Sequence, residues 1–252
     1  MQLKVKEALK GIVIVLVIAA GIWVFFRYQH GKAHRDLAKK IAELSPGGGP
    51  PETIEGLRAA IAAYEEQIEL NVKEGAQTGV YWKILATRLA DRGMHRDALD
   101  ALERAIYFNG EEPTLFYLTG ISAAVAAKSS LDFPGVKNGE DARNRYFALA
   151  ESAHLRAIEL DPGYSRPRYA IGILYVFELD RPAEAIPHLR RYLELMSTDT
   201  DAMFTLARAY YVTGDTQSAV ELYDRIITTT KDKTKKEEAL RNREFVLGQN
   251  YG

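Results

Sequence analysis

GVYWKILATRLADRGMHRDALDALERAIYFNGEE, Gly79–Glu112, is the stretch whose reading decides the fold. Trp82, Leu85, Ala86 and Leu89 stand at i, i+3, i+4 and i+7, one face of a 3.6-residue helix. Gly93 interrupts that helix, and Ala98, Leu102 and Ala105 begin a second stripe, with Gly110 beyond its end as a stop signal. The stretch therefore predicts two helices back to back. Ala86 and Ala98 are small where bulk would hold two helix backbones apart.

Moved forward by its own length, the pattern recurs. Phe116, Thr119, Gly120 and Ala123 fall on the first-helix places, and after 18 extra residues Ala150, His154, Ala157 and Pro162 fall on the second-helix places. The next copy holds Ile171, Gly172 and Tyr175, then, one residue late, Ala185, Leu189 and Tyr192; Arg168 stands where its opening apolar residue is expected. The last copy is regular, with Met203, Leu206, Ala207, Tyr210, Gly214, Ala219, Tyr223 and Ile226.

A tandem 34-residue period of this kind resembles the tetratricopeptide repeat family. The resemblance covers roughly 79–233 and implies an all-α, right-handed superhelical solenoid of helix-turn-helix repeats. It divides the chain into a helix at 52–73, repeats at 79–112, 113–164 (with the insertion around 128–145), 165–199 and 200–233, and a capping helix at 234–249. Together these make a solenoid over 52–249.

Before the solenoid stands a different kind of sequence. After a basic N-terminus, 1–10, the run Gly11–Phe26 is uncharged and rich in Ile, Val, Leu and Phe. It spans about 24 Å as a helix, slightly short of the hydrocarbon core; Lys10 and Arg27 can snorkel, and Tyr28 and Gln29 extend the far end. Residues 11–28 are expected to form a single transmembrane helix, with Trp23, Phe25, Phe26 and Tyr28 at one interface. The competing reading is a cleaved signal peptide ending near Val17-Ile18-Ala19, but the apolar run continues past that point. Lys and Arg counts favour a cytoplasmic far side, whereas the short N-terminus with Lys4, Lys6 and Lys10 has the look of a signal anchor whose body is translocated. The expectation is a single-pass protein of the cell (cytoplasmic) membrane with an extracytoplasmic solenoid.

Residues 29–51 read as a juxtamembrane stem and a hinge, Ser45-Pro46-Gly47-Gly48-Gly49-Pro50-Pro51, which no helix crosses. Either 31–74 form a fifth, distorted repeat, or the first part is a stalk and only Ile54–Leu70 packs on the array. In both cases Ile54, Leu57, Ile61, Tyr64 and Ile68 are helically spaced. Pro187 is expected to bend its helix, Thr234 and Glu237 have capping-box spacing, and Leu240, Val246 and Leu247 are expected to close the last repeat.

Net charge −1 argues against a general nucleic-acid binder, and the absence of cysteine removes disulfides, thiolate nucleophiles and thiolate metal sites. The triple glycine lacks the Lys and Ser or Thr of a phosphate loop. His30 and His34 are four apart but have no third ligand placed with them, and His154 holds a packing position. No catalytic motif occurs, so the expectation is a protein that is not an enzyme and carries no cofactor or metal.

What remains is a surface. The resemblance implies a concave groove lined by first helices, which selects Lys83, Thr87, Tyr117, Ile121, Tyr169, Ile173, Phe177, Phe204, Arg208 and Tyr211 as partner-binding residues. Carried over by position, the lining also takes in Val80, Thr114, Ala124, Arg166, Val176 and Asp201. Most of the selected residues are apolar, and an exposed strip of that kind marks an interaction site unless the insertion folds over it. Lys83 is the sole match to the clamp with which some family members hold an acidic C-terminal tail; Tyr117 and Tyr169 replace its other cations, and Thr87 stands where asparagine is expected. An apolar helix or extended peptide is the better partner. The implied role is a membrane-anchored scaffold or assembly factor for an envelope complex. The alternatives are a binder of a small apolar ligand or lipid, and homo-oligomerisation through Leu37, Ile41 and Leu44.

Overall fold

The computed structural model describes Lys39, residues 53–130 and residues 139–249. The anchor at 11–28, the hinge and the stripe of Leu37, Ile41 and Leu44 lie outside the described residues. Among those described, all regular structure is helical, and no helix is long and apolar enough to cross a membrane. The chain divides into two compact units, Met1–Gly75 and Ala76–Gly252.

The first helix, α1 (Ile54–Asp91), differs from expectation, running as one element through the place where a break was read near residue 73. Thr53 starts it, its Oγ1 accepting from the Gly56 N–H at 3.0 Å. No proline interrupts it, and a helical glycine costs only about 1 kcal/mol. Gly79 serves packing instead: a Cβ there would lie 2.5 Å from Asn109 Nδ2. The apolar face Ile54, Leu57, Ile61, Tyr64 and Ile68, expected to pack, is exposed.

In the second unit, the end of α1 pairs with α2 (His95–Phe108), and α3 (Pro113–Ser129) with α4 (Gly139–Leu160). The third hairpin is α5 (Ser165–Ile173), continued by a π-helical turn, Leu174–Glu178, and followed by α6 (Pro182–Leu195). The fourth is α7 (Thr200–Val212) with α8 (Thr216–Thr229), and α9 (Lys233–Gln249) closes the stack. Among the described residues, most of the buried apolar side chains gather in three clusters. Each cluster is built by neighbouring helices, as a solenoid requires. Leu102, Leu115, Ile171, Leu189 and Ile226 are fully buried, each contributing about 1.5–3 kcal/mol.

Leu85, read as a face residue, is exposed, whereas its counterparts Thr119 and Leu206 are buried; within its unit no hairpin precedes Leu85 to cover it. Pro187 sits inside α6, five residues after Pro182 opens the helix, and leaves the Ala183 carbonyl without the i→i−4 bond that another residue there would donate. The cap of α9 is Asp232, not Thr234: its Oδ1 accepts from the N–H groups of Thr234 (2.9 Å) and Lys235 (3.3 Å). Ala239 and Val246 face the core from α9, while Leu240 is exposed.

The residue by which the third copy runs late is absorbed by the π turn, closed by the Leu179 N–H donating to Leu174 O at 3.0 Å, an i→i+5 bond. Arg181, Glu151 and Tyr175 pin its end: Tyr175 Oη donates to Glu151 Oε1 at 2.9 Å, and Arg181 bonds Glu151 Oε2 at 3.0 Å. The following turn is left-handed at Asp180 (φ 52°), where the first and fourth hairpins have Gly93 (φ 76°) and Gly214 (φ 87°). Asp180→Gly is expected to raise the unfolding free energy by roughly 0.5–1 kcal/mol, read from urea melts, because it removes Cβ crowding in that conformation.

Candidate functional site

Two clefts carry most of the residues selected from the sequence. The first, of about 400 Å³, lies between α3 and the α5 hairpin, and is lined by Tyr117, Ile121, Tyr169 and Ile173 together with Ala124 and Ala170. The second, of about 320 Å³, lies between the π turn, α7 and α9, and gathers Phe177, Phe204, Arg208 and Tyr211. The expected strip is thus divided in two. The π turn serves both halves, with Leu174 and Glu178 lining the first cleft and Phe177 the second.

The first cleft has an aromatic wall and a charged rim. Tyr117 meets the Tyr164 ring edge-on at 5.5 Å, and Tyr169 stacks on Tyr192 at 5.0 Å. Burial raises the Tyr169 hydroxyl pKa, which a bond to Thr205 partly offsets. At the rim, Lys128 (2.5 Å) and Arg143 (3.9 Å) share the one carboxylate of Glu178. Arg166 adds another cation. Beneath them His154 is 1% exposed, its Nδ1 buried without a hydrogen-bond partner, and burial lowers its pKa from 6.5 to about 4. It is therefore the neutral imidazole at neutral pH. Tyr117 stands 6.0 Å from its ring.

The second cleft is walled by Phe177, Phe204, Tyr211, Tyr223 and Phe245. Arg208 sits over the Phe177 ring at 5.2 Å, a cation–π contact that holds the cation at the rim. Phe245, half exposed, meets Tyr211 at 5.9 Å. Glu238 and Asn242, also from α9, supply polar groups.

Lys83 and Thr87 line neither cleft. Lys83 Nζ is held by Glu112 Oε1 at 2.6 Å, and Thr87 Oγ1 donates to the Lys83 carbonyl at 3.0 Å. Val176, carried over as a lining position, is buried in the core. The position-by-position reading missed the contributions of α9, of Lys128 and Glu178, and of His154. The sequence signal for α9 was Phe245, the aromatic residue of a mostly polar helix.

A family model described as a tetratricopeptide repeat matches residues 176–234. A "TPR repeat-containing protein" of Borreliella burgdorferi is 20% identical over 210 residues, 83% of this chain and 88% of that protein. Among solved structures, that of YrrB, titled "a TPR protein with an unusual peptide-binding site", aligns with a TM-score of 0.56 at 17% identity, over 73% of this chain and 83% of the other. A double mutant of MamA RS-1 aligns with a TM-score of 0.50 at 15% identity, over 69% and 96%. At these identities the likeness establishes the all-α, tetratricopeptide-repeat-like fold.

Proposed function

We propose that this chain, whose hairpins have the fold of tetratricopeptide repeat proteins, is a membrane-anchored scaffold that holds a segment of another protein across its two clefts. The observation that carries the reading is the convergence of Tyr117, Ile121, Tyr169 and Ile173 on one apolar cleft rimmed by charge. Apolar walls with a few polar groups at the edge suit an amphipathic or extended peptide. Solenoids of this fold generally act through protein or peptide partners, and the peptide-binding site named for YrrB supports the same use here. Lys83, already paired with Glu112, weakens the case for carboxylate-tail capture. The reading carries no catalytic step, cofactor or metal. The uncharged run Gly11–Phe26 supports the anchor. An extracytoplasmic solenoid that helps assemble an envelope complex belongs to the same reading.

A second reading, a small apolar ligand or lipid, is favoured by the size of the first cleft, about 400 Å³, within the range of small-molecule sites. One experiment tests both. A photoreactive residue placed at Ile121 or at Phe177, in native cells, is expected to give one discrete protein adduct in carbonate-washed membranes. The same residue at the exposed Tyr107 is expected to give none. Adducts of small mass would replace the scaffold by the ligand binder. Equal labelling at all three places would remove the groove, and adducts in the soluble fraction would remove the anchor.

A further inference from the structure

The N-terminal half of α1 carries an apolar seam that the groove does not use. Ile54, Leu57, Ile61, Tyr64 and Ile68 succeed one another at spacings of 3, 4, 3 and 4. All lie in the first compact unit, and Ile54, Ile61 and Ile68 are 65%, 55% and 59% exposed. We propose that this seam is the interface of a parallel, in-register, two-stranded coiled coil with a second copy of this chain.

The spacing itself selects a helix as the occupant. A face packed on a globular core drifts with the 3.6 period and widens, whereas strict alternation of 3 and 4 is the 3.5 period of a narrow seam on another helix. The residue types select two parallel strands. Isoleucine fills every a place (54, 61, 68), and Leu57 and Tyr64 fill the first two d places. β-branched a residues with leucine at d favour the parallel dimer. Asn71 takes the third d place. In register it meets its own copy, amide to amide, whereas a slip by one heptad would bury it against Tyr64.

The flanks agree. Across a parallel seam each g residue faces the next e residue of the copy, giving Thr53 with Arg58 and Gln67 with Val72, while Ala60, opposite Glu65, is already buried within the chain and brings no charge. None of these pairs sets like charges together. From Ile54 to Asn71 the seam is about 26 Å long and a helix about 10 Å wide. With side-chain relief the pair buries on the order of 1,000 Å², the area a specific interface has to clear.

The test uses the full-length chain in detergent, which has no cysteine of its own. Leu57→Cys and Ile61→Cys, each alone, are expected to form intermolecular disulfides on mild oxidation at least tenfold faster than Ala59→Cys, on the far side of the helix. Sedimentation of the unoxidised wild type is expected to give twice the chain mass. Ile61→Glu with Ile68→Glu is expected to return it to one chain with unchanged helical circular dichroism. A monomeric wild type would overturn the proposal, as when the chain's own N-terminal segment covers the seam. Equal disulfide rates at all three positions would overturn it too. So would cross-links formed only between mixed Leu57→Cys and Ile68→Cys variants, the mark of antiparallel strands.

Discussion

Replacing Gly172 with alanine is expected to lower the unfolding free energy by about 2 kcal/mol, within the range for overpacking a filled core. The added Cβ would lie 2.5 Å from Leu189 Cδ2 and 2.6 Å from its Cγ. Because Cγ is the branch point, moving only the tip of the side chain does not relieve the contact. Leu189 is fully buried within the largest cluster. Leu189→Ala alone is expected to cost about 2–5 kcal/mol through lost burial and the void left behind. The double variant is expected to fall short of the sum of the two by about 1 kcal/mol, since the new methyl group occupies part of the void. Urea melts of the four proteins measure this. A Gly172→Ala variant as stable as wild type would show that α5 and α6 do not approach as closely as described.

The second large effect is a dependence of stability on pH centred on His154. Its pKa falls from 6.5 to about 4 on folding because burial disfavours the imidazolium. Between those values the unfolded chain binds more protons than the folded one. Stability is therefore full above about pH 6.5, declines as pH falls, and levels off below about 4. From pH 7 to pH 5 this one group is expected to account for about 2 kcal/mol. Carboxylates titrate in the same range, so the measurement is a difference between wild type and His154→Leu. Leucine is the residue at the equivalent places 102 and 189. The variant should fit beside Gly120 and show a pH dependence shallower by that amount. Parallel curves would mean that His154 reaches solvent or finds a partner on protonation.

These two positions also show how much of the fold was legible. Periodicity put Gly120 and Gly172 at the small place of the repeat and His154 and Leu189 at a large place; that each glycine packs against that large side chain is what the structure adds. The late register of the third copy was legible as an irregularity. That it becomes a π turn, rather than a longer loop, follows from Arg181 and Tyr175 converging on Glu151, which lies on a different helix. The continuity of α1 through Gly75 and Gly79 was not legible, because glycine weakens a helix locally without deciding whether neighbouring contacts hold it.

The candidate site divides along the same line. Eight of the ten selected residues line a cleft because side-chain direction follows from helical position once the hairpins are known. Lys83 left the site because Glu112, 29 residues away, satisfies it, and no local pattern announces an ion pair at that distance. Phe245 and Asn242 entered it because α9 packs beside α8 and turns one face toward α7.

The sequence by itself determined that paired helices repeat, which residues are small at their crossings, that an uncharged run of membrane length precedes them, and that the N-terminal half of α1 bears a 3-4 seam. These are properties of spacing, and backbone geometry converts spacing into faces without reference to anything distant. Only the tertiary structure decided that the apolar lining forms two clefts, that Lys83 is taken up by Glu112, and that His154 is buried without a partner. Each of those depends on which side chains meet from helices remote along the chain, where packing and desolvation, not local periodicity, set the energy.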